Sequence, residues 1–322
     1  MIDLSKPKIN GRYLLKDNYY YFFNGGSGFS FKMNGTGFKL KFDSCPVDSY
    51  FYIIVDRDYQ NKTKLLTSID GNSFSFNKPG IHQVDIVKAN EANDCTLKLL
   101  DFAVDGELLD NDLAYYKKVR VFGDSTIAGY GILMHEGAGS IQSSDSVEDF
   151  CYQALYELNT DFDLFSASGW GLCFSIYTCP QRIGIIDFIN KAATNKPNDW
   201  VDNSPIDLLI ISLGTNDNSF IQDEPTLKEE RIKEYIDSYK KLIDSQIRYN
   251  GDLKILMVYG TLNEKDAYYL NEETYKCLKP LYKNLYIHKF AGDSSAISNH
   301  AYVTAHKLMA EELKTVIKSL FD

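Results

Sequence analysis
The sequence predicts an α/β protein in two parts: a three-layer α/β/α domain around a parallel sheet, preceded by an all-β, jelly-roll-like sandwich. Three observations predict it. Through the first third of the chain apolar residues alternate with polar or small ones, the period of half-buried strands. From about Tyr115 this gives way to short apolar runs separated by helical stretches. A chain of 322 residues, 44% hydrophobic, is also long enough to build two cores. The domains are placed at residues 1–112 and 113–322, with the boundary between 108 and 117 and no long linker.

In the first part Phe29, Phe31 and Met33 alternate with polar or small neighbours, and Asn34-Gly35 reads as a hairpin turn. Phe38, Leu40 and Phe42 alternate against Lys39 and Lys41, which gives a strand with one buried and one wet face. Further strands are expected at Ser49–Asp56, Lys64–Ile69, Gly80–Val87 and Thr96–Val104. Short strands at this spacing, with Gly, Asn and Pro between them, fit an antiparallel sandwich.

In the second part Lys118–Phe122 is a short strand ending at Gly123. Ser146 is placed to cap a helix reaching Leu158, with Asp149 at its N3 position. Leu164-Phe165 sits in a second strand, and a helix is expected around Ile183–Ala193. Ile206–Leu213 reads as an apolar run, broken at Asp207 and Ser212, as expected of a strand covered on both faces. A long helix runs from about Leu227 to Arg248, with Gly251 just beyond it. Leu253–Tyr259 and Leu285–Phe290 are the fourth and fifth strands. The last helix, about Tyr302–Leu320, carries the stripe Leu308, Met309, Leu313, Val316, Ile317 and Leu320.

The formal net charge of −10 leaves no overall basic footprint for nucleic acid and disfavours strongly anionic substrates. No apolar run approaches the roughly 20 residues of a membrane-spanning helix. The opening MIDLSKPKINGRY lacks the apolar stretch of a secretory signal, so a cytoplasmic protein without nucleic-acid or membrane partners is expected. The cysteines, Cys45, Cys95, Cys151, Cys173, Cys179 and Cys277, show neither a Cys-x-x-Cys pair nor zinc spacing and read as reduced, buried thiols. His135-Glu136 lacks the second histidine of a metalloprotease helix, and Gly129-Tyr130-Gly131 lacks a phosphate-loop lysine. No metal or other cofactor is expected.

In a parallel sheet, ligands bind beyond the carboxyl ends of the strands, and several reactive residues fall there. The first strand runs into Gly123-Asp124-Ser125, the second into Ser168-Gly169-Trp170-Gly171, the third into Gly214-Thr215-Asn216-Asp217. His300 stands at the mouth of the last helix. Acyl transfer needs a nucleophile, a base and donors for the oxyanion. Ser125 can attack, and His300 can take its proton and return it to the leaving group. The Ser125 N–H, a glycine N–H from Gly169 or Gly171, and the Asn216 amide can meet the oxyanion. Asp124 and Asp217 read as supports that bond loop amides. Trp170 fits equally a substrate pocket or the core between strand and helix. His82 and His288 fall in strands and His306 within the last helix, so each reads as structural.

These four segments resemble blocks I, II, III and V of the GDSL/SGNH hydrolases, in order and spacing, across the whole second half. The block II pattern aligns on Gly169. A β-sandwich joined to such a domain resembles carbohydrate esterase family 2, as does Val303–Leu313 after the histidine. The resemblance implies removal of acetyl groups from O-acetylated saccharides, with a small-molecule or oligosaccharide ester as partner. Another esterase or thioesterase activity on lipid or aryl esters is a rival, as is a carbohydrate-binding protein with an impaired site. One departure matters: the family's aspartate two or three residues before the histidine, and the proline often following it, are here Ile297, Ser298 and Ala301. A backbone carbonyl, as in some dyads of that family, or another uncharged acceptor is expected to orient His300. Asp293 is seven residues upstream and reaches the ring only if the loop doubles back.

Overall fold
The computed structural model describes residues 5–322 apart from 46, 138, 177–182, 195, 201, 203, 249 and 263–264. Cys179 lies outside the described residues. Eight strands form one curled antiparallel sheet: β1 (Lys8–Asn10), β2 (Tyr13–Lys16), β3 (Tyr19–Phe22), β4 (Gly28–Phe42), β5 (Tyr50–Val55), β6 (Thr63–Leu66), β7 (Asn72–Lys88) and β8 (Leu97–Leu109). Their order is β2-β3-β8-β4-β7-β5-β6, with β1 added beside β4. The long strands bend, so the sheet closes over its own core as a sandwich of Phe22, Phe29, Phe31, Phe38, Phe42 and Phe51 with their aliphatic neighbours.

The expected hairpin at Asn34-Gly35 is not there: β4 runs straight through it. Against β8 the register shifts between Gly35 and Gly37, which leaves Thr36 as an extra residue, while against β7 the same point faces residues 76–79. A bulge moves the inward parity by one. Odd-numbered Phe29, Phe31 and Met33 and even-numbered Phe38, Leu40 and Phe42 therefore face the same core. The Phe31 and Phe38 rings meet edge to face, with centroids 5.2 Å apart. Gly35 is needed for close approach, since a Cβ there would lie 2.3 Å from the Asp105 carbonyl on β8.

After the segment 110–117 come β9 (Lys118–Gly123), α1 (Ser125–Ala128), α2 (Phe150–Glu157), β10 (Asp161–Ser166), β11 (Lys191–Ala193), β12 (Lys196–Asp199), β13 (Leu208–Ser212) and α3 (Thr215–Asp223). Then follow α4 (Lys228–Ile247), β14 (Lys254–Tyr259), α5 (Lys265–Leu278), β15 (Leu285–Lys289) and α6 (Val303–Phe321). The parallel sheet has the order β10-β9-β13-β14-β15. Strand β13 is buried on both faces: Leu208 and Ile210 join one apolar cluster with α2 and α6, Leu209 and Ile211 another with α4 and α5. The result is the three-layer α/β/α arrangement.

Two helix expectations are corrected. Helix α2 starts at Phe150, because the Asp149 carboxylate accepts from the Cys151 and Tyr152 N–H groups. Ser146 instead donates to the Ala128 carbonyl. Ile183–Ala193 is not a helix. It holds a 3-10 turn at Ile185–Asp187 and then β11, paired antiparallel with β12. Ile185, Ile186 and Ile189 are all buried, so the apolar spacing there marks enclosure rather than one face of a helix.

The two halves share one core. Tyr52, Ile54, Tyr59, Val87 and Ala89 from the sandwich lie in the same cluster as Val119, Val121, Phe150 and Leu313. Among the described residues no helix is long and apolar enough to cross a membrane.

Candidate active site
Strand β9 ends at Gly123, which pairs with Ser166 of β10 on one side and Ser212 of β13 on the other. Three loops therefore leave the sheet side by side. A Cβ at Gly123 would lie 2.2 Å from Ile127, so only glycine lets α1 turn back on the strand end. Asp124 caps α1, its carboxylate accepting from the Thr126 N–H and hydroxyl at 3.0 Å each. Ser125 is the first residue of that helix, and the turn ends at Gly129, whose φ is +69°. This presents the Ser125 hydroxyl at the carboxyl edge of the sheet.

His300 Nε2 lies 2.7 Å from Ser125 Oγ. His300 Nδ1 lies 3.0 Å from the Ser298 carbonyl oxygen. Ser298 and Asn299 are both left-handed, with φ of +56° and +61°, a turn that folds the carbonyl back toward the ring. The Tyr130 ring flanks the imidazole edge to face at 5.1 Å. Burial lowers the His300 pKa from its ordinary value, and its backbone hydrogen bonds only partly oppose this.

Asp293 is occupied elsewhere. Its carboxylate accepts from the Ser295 hydroxyl at 2.6 Å, the Ser295 N–H at 3.1 Å and the Tyr302 N–H at 3.2 Å. It shapes the loop before α6. His306 is fully buried and accepts from the Phe150 N–H at 3.1 Å, with burial pushing its pKa down to about 3. It is a neutral packing residue at the start of α2.

Gly169 has φ +78° in the loop after β10. Asp217 fixes that loop from α3: buried, it accepts from the N–H groups of Leu172, Cys173 and Phe174 at 2.7, 2.9 and 3.0 Å. Gly171 is structural in this packing, since a Cβ would lie 2.3 Å from the Phe174 carbonyl and 2.6 Å from the Asp217 carboxylate. Asn216 is the second residue of α3 and its amide donates to the Trp170 carbonyl at 3.2 Å. The Trp170 ring is in the core rather than an open pocket wall. It is 8% exposed and packs edge-on against Phe188 at 5.4 Å.

The sequence missed Glu91, in the loop between β7 and β8. Its buried carboxylate accepts from the Ser168 N–H at 2.8 Å, one residue before Gly169. Only spatial proximity links the two, so no local motif signals it. Among the described residues no group of three or more His, Cys, Asp or Glu side chains is placed to hold a metal ion.

Residues 9–111 match the carbohydrate esterase 2 N-terminal family. No curated protein matches the chain. A family two carbohydrate esterase from Cellvibrio japonicus superposes with a TM-score of 0.82 at 18% identity, covering 98% of this chain and 95% of that one. One from Clostridium thermocellum, in complex with cellohexaose, gives 0.82 at 21% identity, covering 97% and 98%. An acetyl xylan esterase from the rumen bacterium Butyrivibrio proteoclasticus gives 0.83 at 18% identity, covering 100% and 97%. Residues 9–111 are thus similar to the carbohydrate esterase 2 N-terminal family, and the chain as a whole resembles the two-domain family 2 carbohydrate esterases in fold.

Proposed function
We propose that the protein is a serine esterase that removes acetyl groups from O-acetylated saccharides through an acetyl-Ser125 intermediate. One observation carries the reading: the Ser125 hydroxyl and His300 Nε2 are 2.7 Å apart while the opposite ring nitrogen is held against a carbonyl. With the proton on Nδ1 donated to Ser298, Nε2 is the free acceptor. As Oγ bonds to the acetyl carbon, its proton passes to Nε2. The developing oxyanion is met by the N–H groups of Ser125 and Gly169 and by the Asn216 amide. Collapse breaks the bond to the sugar oxygen, which leaves with the proton from the imidazolium. Water then attacks the acetyl-serine by the same route and acetate departs.

The saccharide part rests on the first domain's family match and on the cellohexaose bound by a structural neighbour. A net charge of −10 suits an uncharged acetylated sugar better than an anionic ester. The test is acetate release from acetylated xylo- and cello-oligosaccharides, beside nitrophenyl esters of increasing chain length. The wild type should release acetate and prefer acetyl to long acyl chains. Folded Ser125→Ala protein should lose at least about 10³-fold in kcat. Full activity in that variant would end the serine mechanism, and faster turnover of long-chain esters would move the reading to a lipid esterase.

A further inference from the structure
The loop that carries Gly169 is held from two sides. Asp217 holds its far part from within the hydrolase domain, through the N–H groups of residues 172–174. Its near part is held across the domain boundary. Strand β7 delivers Ala89–Ala92 of the sandwich into the second half, where Ala89 joins the shared core and Ala92 packs with Ala192 and Ala193. The buried Lys88 ammonium fixes this segment by donating to the Asn90 and Glu91 carbonyls. Asn90 accepts from the Tyr50 N–H at 2.6 Å, and the Ser146 N–H donates to the Ala89 carbonyl at 2.9 Å. From this rigid mount the Glu91 carboxylate takes the Ser168 N–H at 2.8 Å, and the Asn93 amide reaches the Ser168 carbonyl at 3.5 Å.

We propose that Glu91 of the first domain is a positioning residue for the esterase reaction, holding the Ser168-Gly169 peptide where the Gly169 N–H meets the oxyanion. This rests on the serine-esterase reading above. Glu91 itself is buried, and its carboxylate bonds the Ser168 N–H rather than a reacting group. Two N–H donors on adjacent loops serve an oxyanion only if their spacing is fixed, and a displacement on the order of 1 Å costs as much as 10²-fold in rate. A charged acceptor bonds an N–H more strongly than a neutral one, so the strut weakens when Glu91 takes up a proton.

Burial, helped by the nearby Asp94 and opposed by the Ser168 hydrogen bond and Lys88, pushes the Glu91 pKa up to about 7. From the hydrolase side it faces the uncharged Ser168. As pH falls through 7 the carboxylate is lost and the loop slackens. The wild-type pH profile of kcat should therefore fall in two steps. A partial drop near pH 7 belongs to Glu91, and a full one, lower, belongs to His300, whose pKa burial has depressed.

The experiment compares wild type, Glu91→Gln and Glu91→Ala on an aryl acetate across pH, with hydrogen exchange of the segment 166–176 measured on each. Glu91→Gln should keep kcat within about threefold at pH 8 and lose the upper step. Glu91→Ala should lower kcat by about 10- to 100-fold with KM nearly unchanged, and speed exchange in that segment. Wild-type kcat and protection in folded Glu91→Ala would overturn the proposal, as would a loss confined to KM. If Glu91→Ala does not fold, Glu91→Gln decides, and a two-step profile unchanged from wild type overturns it. If the wild type shows no esterase activity, the esterase reading fails by itself, and the exchange data still tell whether Glu91 holds the loop.

Discussion

At the scale of single residues, the site depends on which hydrogen bonds are already taken. The Asn216 amide has two N–H donors and spends one on the Trp170 carbonyl, which aims the other. Asn216→Ala should lower kcat by roughly 10²–10³, the usual effect of losing one oxyanion donor. A change confined to KM would assign the amide to ground-state substrate binding. Asp293 is the reverse case: its acceptors serve Ser295 and Tyr302, and His300 is oriented by the Ser298 carbonyl. Asp293→Asn should fall far short of the ~10⁴-fold loss that follows when a true triad aspartate is neutralised. Because burial lowers the His300 pKa, its neutral, basic form persists further into acid, so the His300 limb lies below the ordinary histidine range. Asp293→Asn should leave that limb in place. A loss near 10⁴-fold in a folded variant, measured as kcat/KM, would make Asp293 the third member after all. The Ser125–His300 pair was legible because Ser125 follows β9 and His300 precedes α6, each inside a local motif. Glu91 was not, because its partner Ser168 is 77 residues away and in another domain.

Elements were legible where burial is one-sided or complete, and illegible where the backbone itself is the packing surface. The Ile206–Leu213 run could only be a doubly covered strand, and β13 lies within it. Asn34-Gly35 misled because glycine serves tight turns and close approaches alike. Both Gly35 and Gly37 stand where β7 and β8 press on β4, and a Cβ at Gly37 would lie 2.2 Å from the Phe74 carbonyl. The change of parity between Met33 and Phe38 was the available clue, since a one-residue bulge against β8 explains it without reversing the chain. Gly35→Ala tests the difference. In a hairpin turn the substitution acts through the local dihedrals. In a central strand the methyl meets a backbone oxygen at 2.3 Å that cannot rotate away. We expect a loss of about 1–3 kcal/mol in chemical denaturation, the range for overpacking. Wild-type stability would mean that β4 and β8 can spread at that point.

At the scale of the whole molecule, the domains are joined by buried polar contacts as well as by the shared core. Arg12, in the turn between β1 and β2, is fully buried although it lies in the sandwich half of the chain. Its Nη1 donates to the Ile189 carbonyl at 3.0 Å and the Lys191 carbonyl at 2.8 Å, both in the hydrolase half. Its guanidinium lies over the Phe165 ring at 4.0 Å and the Trp200 ring at 4.5 Å, with Asp163 3.8 Å from Nε. Asp163 is also paired with Arg120 at 2.9 Å, so losing Arg12 would not leave that carboxylate unpartnered. It would leave two carbonyls without their donor and a gap between two aromatic rings. Arg12→Ala should therefore cost roughly 1–3 kcal/mol for each carbonyl left unsatisfied. Arg12→Lys should recover little of it, because an ammonium has neither the planar face that stacks on the rings nor the reach of the fork. The measurement is equilibrium denaturation followed by two probes, tryptophan fluorescence and far-ultraviolet circular dichroism. In the wild type the shared core should make both report one transition, and in Arg12→Ala the transition should move to lower denaturant. If Arg12→Lys unfolds at the wild-type midpoint, the planar fork is not what the interface needs. The joint would then rest on its remaining contacts, the shared core around Ala89 and Val119 and hydrogen bonds such as that from Ser168 to Glu91.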